Sequence, residues 1–223
     1  GQCQPVTTTF LLGNVDRKRA LDFVLQRQSR LRELEAEARR QGELTVPQQF
    51  RIGVPTLWPD VTYHNYTRIL HVDSTRAEDL TRAEIEGRRQ VRETVAFLRR
   101  HVPGYENSRL LSIASRVGLR ESRRIVGEYN LTAGDVLSAR KFPDAVARHA
   151  YYIDVHNPDG VGLEGRASRD LKPPAGEYYE VPYGCLVPEK VEQLLVAGRC
   201  IGADREALGS TRTTVCCAEL GEA

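Results

Sequence analysis

Apolar positions recur along the chain with two periods, and the switches between them mark its elements. Residues 5–12 mix Thr, Val, Phe and Leu, the composition of a strand. Over residues 16–41, Leu21, Val24, Leu25, Leu31 and Leu34 fall at helical spacing, which predicts one long helix. Its other positions carry Arg–Glu pairs such as Glu35 with Arg39, the pattern of a solvated face. Residues 61–73 read as a strand and residues 79–102 as a second long helix, with Val91, Val95, Leu98 and Val102 on one face. Thr81 and Glu84 form a capping-box pattern near its start, and Pro103-Gly104 stops it.

The second half is more broken. Residues 109–116 and 124–131 read as strands, 135–150 as a short helical excursion, and 151–155 as another strand. Residues 157–174 are rich in Gly, Pro and charge and read as loop. Short strands are expected at 178–182 and, buried, at 194–197; from 207 onward a loop leads into a helix. Strands and helices do not alternate strictly and nothing repeats. The pattern therefore predicts an α+β fold with a mixed or antiparallel sheet and long helices.

Composition narrows the function classes. The chain has 223 residues, 40% of them hydrophobic and 28% charged, enough for a packed core. Lys and Arg total 32 against 30 Asp and Glu, a net charge of +2. That balance lacks the strongly basic face a nucleic-acid binder needs, so no nucleic acid is expected. No apolar run approaches the roughly 18 residues of a membrane span. The five cysteines are odd in number and none stands as C-x-x-C, which points to a reducing, cytoplasmic setting. The chain holds no Met, opens on Gly1 and stops at Ala223 inside a helical pattern, so it reads as a piece of a larger protein.

Several motifs bear on chemistry. Gly160, Gly162 and Gly165 spell G-x-G-x-x-G, but four residues separate them from the preceding strand and no apolar helix follows. A pyrophosphate site needs both, so a loop is the better reading. Asp154 and His156, two apart on a strand, share a face with His149 nearby, yet the set is too small for a metal and none is expected. Cys216 and Cys217 are adjacent, so their side chains diverge on a helix and read as buried, inert thiols. Arg116, Arg120, Arg123 and Arg124 cluster between apolar segments; they face water, pair with Glu121 and Glu128, or meet an anionic ligand. Residues 194–199 end in Gly198-Arg199, and Gly209-Ser210-Thr211-Arg212 precede an apolar helix that Ser210 or Thr211 can cap. This is either an ordinary turn or a shelf for a polar cofactor edge.

Residues 118–129, reading GLRESRRIVGEY, resemble the G-x-R-E-[ST]-R-R-I-x-G-x-Y stretch of a family of bacterial FAD-dependent oxidoreductases. Residues 144–148 with 152–158, residues 182–188 and residues 194–212 are similar to that family's later blocks, in the same order. The resemblance implies an inserted substrate-type domain over residues 1–183. It implies a returning strand–turn–helix portion of an α/β FAD-binding domain over residues 184–223, with the N-terminal pyrophosphate-binding portion missing. It further implies FAD as cofactor, with Gly198, Arg199, Gly209, Ser210, Thr211 and Arg212 beside it, the last four presenting a helix N-terminus to the pyrimidine edge. The implied reaction passes a hydride from a small organic substrate to flavin. Arg120, Arg123 and Arg124 would bind that substrate, and His156 would transfer a proton. The alternative is a non-catalytic module for a small anionic or sugar ligand or a partner, built from the Arg cluster and Tyr151, Tyr152, Tyr178, Tyr179 and Tyr183.

Overall fold

A computed structural model describes residues 3–51, 53–163 and 171–223. By packing, the chain forms two compact units: Gly1–Leu119 with Pro158–Val161, and Arg120–Asn157 with Gly162–Ala223. Both are α+β with antiparallel sheets, as the pattern predicts.

The first unit is built on β1 (Phe10–Gly13), α1 (Arg17–Gln26), α2 (Gln28–Arg40), β2 (Val54–Pro55), β3 (Thr62–His64), α3 (Ala77–His101) and β4 (Arg109–Ile113). The strands form one sheet in the order β2-β3-β1-β4, with β1 antiparallel to both of its neighbours. Phe10 and Leu12 of β1, Leu31 of α2 and Val91 and Leu98 of α3 bury in one core. The long α3 carries Glu78 and Asp79 in its first turn and Arg99, Arg100 and His101 in its last, the charges that suit a helix dipole. It starts at Ala77, not at a Thr81 cap; the Thr81 hydroxyl bonds back to Ala77 O at 3.0 Å inside the helix.

The helix expected over residues 16–41 is two. Arg27 sits between them at φ −128°, ψ 36°, outside helical space. Phe23, Val24, Leu31 and Leu34 pack on the core, whereas Leu21 and Leu25 are exposed. One straight helix cannot turn both apolar sets inward, and the polar run at residues 26–30 lets the chain break. Glu35 is fully buried on α2 and accepts from Phe50 N at 2.6 Å and Tyr66 OH at 3.0 Å, with Arg32 and Arg39 beside it.

The second unit contains α4 (Ala133–Leu137), β5 (Ala145–His149), β6 (Tyr179–Pro182), α5 (Arg205–Thr211) and α6 (Thr214–Glu222). β5 and β6 pair antiparallel. The excursion expected at 135–150 therefore splits into a one-turn helix and a strand. Its true capping box is Thr132 with Asp135, each side chain bonding the other's backbone N–H. Residues 124–131 are not a strand: the segment bends at Glu128-Tyr129 and makes isolated bridges, Gly127 to Pro188 and Leu131 to Ala203, rather than a ladder. Residues 194–197 are not a buried strand. Leu194 and Leu195 are 45% and 54% exposed, and Val196 N bonds to Leu186 O at 2.9 Å. No helix among the described residues is long and apolar enough to cross a membrane.

Candidate functional site

Several of the expected site residues, His156, Gly209, Ser210, Thr211 and Arg212, meet around an elbow between α5 and α6. Asp204 caps α5 by accepting from Ala207 N at 2.7 Å, and the same carboxylate takes Ala133 N at 2.8 Å, tying α4 to α5. The buried face of α5 lies on segment 151–156, which forms no strand, contrary to the expectation for 151–155. A Cβ on Gly209 would come within 2.8 Å of Val155 Cγ2 and 3.2 Å of Asp154 N, so only a glycine permits this approach. Ser210 donates to Tyr151 O at 2.6 Å; having one proton, it then accepts from Tyr179 OH, also at 2.6 Å.

These contacts place Gly209, Ser210 and Thr211 in the last turn of α5, all buried, and not at a helix start. The N-terminus expected there stands at Thr213-Thr214, where α6 begins. Thr213 does not cap it: its hydroxyl meets His149 Nε2 at 3.0 Å and donates to Ser210 O at 3.3 Å. The first turn of α6 therefore has no hydrogen bond from its N-cap side chain.

Arg212 closes the elbow. One terminal nitrogen donates to the Asp154 carbonyl at 2.7 Å and to its carboxylate at 2.9 Å. Its Nε is buried without a hydrogen-bond partner among the described residues. The other Asp154 oxygen lies 3.4 Å from His156 Nε2. Burial alone would raise the Asp154 carboxyl, but the His156 hydrogen bond and the His156, Arg212 and Arg120 charges outweigh it and hold the carboxyl below its ordinary value. Asp154 thus joins His156 to Arg212, two residues the sequence singles out for different roles. Its own role goes unrecognised in the sequence, where Asp154-x-His156 reads only as a failed metal pair. Among the described residues no group of three or more His, Cys, Asp or Glu could hold a metal.

The arginine cluster divides. Glu121 is buried and pairs with Arg205 at 3.2 Å and Arg124 at 3.8 Å. Arg120 is the member whose charge reaches Asp154. Arg123 is exposed, and Arg116 belongs to the first unit. Gly198 turns at φ +87° with its Cβ position 3.9 Å from Cys217 Sγ, and the Arg199 charge acts on that thiol, so both residues adjoin the start of α6. Residues 157–162 form a turn, Asn157 N bonding Gly162 O at 3.1 Å; Glu164 and Gly165 of the G-x-G-x-x-G pattern lie outside the described residues.

The family model described as FAD dependent oxidoreductase matches residues 1–223. No curated protein and no solved structure matches the chain. The family match spans both compact units and contains the elbow: the chain belongs to the FAD-dependent oxidoreductase family.

Proposed function

We propose that the α5–α6 elbow is the flavin-facing part of the site, in an oxidoreductase that takes a hydride from a small organic substrate. The observation that carries this reading is Arg212. Its terminal nitrogen is fixed on Asp154 while its buried Nε has no hydrogen-bond partner among the described residues, immediately before a helix that its N-cap side chain does not cap. A set of unmatched donors beside a helix N-terminus fits the acceptor-rich pyrimidine edge of a flavin and favours negative charge there. Arg212 and the α6 N-terminus would hold that edge, with Gly198 and Arg199 alongside. Gly209, Ser210 and Thr211 act from behind, fixing the elbow through Val155, Tyr151 and Tyr179. A bound FAD supplies a two-electron acceptor.

The remaining chemistry belongs to the chain. Asp154 orients His156 through Nε2, so a substrate proton would be handled at Nδ1, the ring nitrogen on the far side. Arg120 adds positive charge to the same side, suited to an anionic substrate group, with Arg123 and Arg124 farther along the segment. In the parent fold, residues 1–183 would be the substrate-type insertion and residues 184–223 the returning flavin-domain segment.

The test is the visible spectrum of the protein after incubation with FAD and desalting, for the wild type and Arg212→Ala. Retained flavin that falls several-fold in the variant supports the assignment. Equal retention by both would remove Arg212 from the cofactor site.

A further inference from the structure

The chain contains five thiols, none in a disulfide, in three different settings. Cys185 and Cys216 are buried, and burial pushes both thiols up to about 12, so neither is a nucleophile near neutral pH. Cys3 is half-buried in the first unit, with Ser74 Oγ 3.7 Å away. Cys200 and Cys217 differ from these in that one turn brings them together.

That turn is residues 197–200. Cys200 donates from its sulfur to Ala197 O at 3.4 Å, which folds its side chain back over the turn. Gly198, at φ +87°, lies on Cys217: a Cβ there would stand 3.9 Å from the Cys217 sulfur. Cys217 in turn donates to Thr211 O at 3.5 Å, at the end of α5. Both sulfurs therefore face the same turn, seventeen positions apart in sequence. Both residues are half-buried, accessible to a small reagent in a way Cys185 and Cys216 are not.

On balance the Cys217 thiol lies above its ordinary value: burial raises it most, the Arg199 charge lowers it, Cys200 raises it further and the Arg212 charge lowers it. Cys217 is therefore the resolving rather than the attacking thiol, and the two guanidinium groups offset part of the cost of ionising it.

We propose that Cys200 and Cys217 are a convertible dithiol, a site for exchange with low-molecular-weight disulfides, beside the elbow. The more accessible Cys200 thiolate attacks one sulfur of the small disulfide; a new S–S bond forms to Cys200, and the other half leaves as a thiolate that takes up a proton. Cys217, deprotonated, then attacks the Cys200 sulfur, forming the internal bond and releasing the second half as a thiol. The balance is one dithiol and one small disulfide giving one internal disulfide and two small thiols. Two electrons pass from the protein to the reagent and no other oxidant is required. The oxidised pair would pin the 197–200 turn to the first turn of α6, next to Arg212. The site requires no flavin, so it stands or falls separately from the cofactor assignment.

The experiment treats the whole native protein with glutathione disulfide, quenches with acid, and maps the cysteine peptides by mass spectrometry. The expected product is a Cys200–Cys217 linked peptide lighter by two hydrogens, with Cys185 and Cys216 unmodified and Cys3 carrying only glutathione. In Cys200→Ser and in Cys217→Ser, the remaining partner should accumulate glutathione. Stable glutathione on Cys200 in the wild type, with no internal bond, would overturn the proposal, as would Cys200 linked to any other cysteine. The wild-type map decides the matter even if a serine variant folds poorly.

Discussion

Asp154 and Arg212 are joined by a single guanidinium nitrogen that serves both the backbone carbonyl and the carboxylate of Asp154, at 2.7 and 2.9 Å. The contact spans 58 residues and holds segment 151–156 to the α5–α6 elbow. Both side chains are largely buried, 14% and 13% exposed. Asp154→Asn keeps the shape but leaves the arginine charge uncompensated, at a cost of about 1–3 kcal/mol. Because the folded carboxyl lies below its unfolded value, its contribution is complete above the ordinary Asp range near ~3.9 and disappears as pH falls through the folded value. Urea denaturation of wild type and Asp154→Asn between neutral and acid pH measures this: the difference should shrink as pH drops.

Gly209 should tolerate no side chain. Alanine gains about 1 kcal/mol of helix propensity. Against this, the added methyl would stand 2.8 Å from Val155 and 3.2 Å from backbone at Asp154, an overpacking cost of about 1–3 kcal/mol. Gly209→Ala is expected to lower the melting temperature and to shift the Asp154, Val155 and Arg212 amide resonances. An unchanged or raised melting temperature would mean the segment yields freely.

In the first unit, His64 gives a pH signature. It is 2% exposed, stacked 4.9 Å from Phe10, and burial lowers its pKa to about 4. A neutral buried His stabilises fully above its unfolded value, and the stabilisation is lost as pH falls from about 6.5 toward 4. The loss amounts to about 3 kcal/mol at its limit. His64→Phe should flatten the stability profile over that window, as read by denaturant midpoints at stepped pH.

Glu35 anchors the segment that follows α2. It accepts from Phe50 N at 2.6 Å and Tyr66 OH at 3.0 Å, and has no exposed surface. Glu35→Leu orphans the Phe50 N–H and strips Arg32 and Arg39 of their carboxylate, while Tyr66 OH keeps the Gln48 carbonyl at 3.0 Å, at a cost of about 2–4 kcal/mol. Hydrogen exchange at the Phe50 amide should accelerate in that variant beyond the global loss of stability.

The sequence made some of these features legible and hid others for physical reasons. α3 was readable because a long periodic segment carries its own signal, and β6 because Tyr179 and Val181 are strand-favouring residues two apart. The break at Arg27 was not, because Leu21 and Leu25 keep helical spacing while pointing away from the core. Residues 194–197 have the apolar composition of a strand, but composition cannot say whether a neighbouring strand pairs with them. Ser210 and Thr211 have the right chemistry for a cap, yet the Ser210 hydroxyl bonds Tyr151 O, a contact set by tertiary packing, and the Thr211 hydroxyl bonds back to Ala207 O inside α5. His156 and Arg212 were visible as separate motifs; the Asp154 bridge between them appears only when segment 151–156 is laid on α5.

Amide NMR of the isotopically labelled protein titrated with FAD reads out whether the elbow faces flavin. Saturable shifts should concentrate at Gly198, Arg199 and residues 212–216, with smaller changes at Asp154 and His156, and should be lost in Arg212→Ala. Shifts centred elsewhere, or the same shifts in the variant, would contradict a flavin-facing elbow.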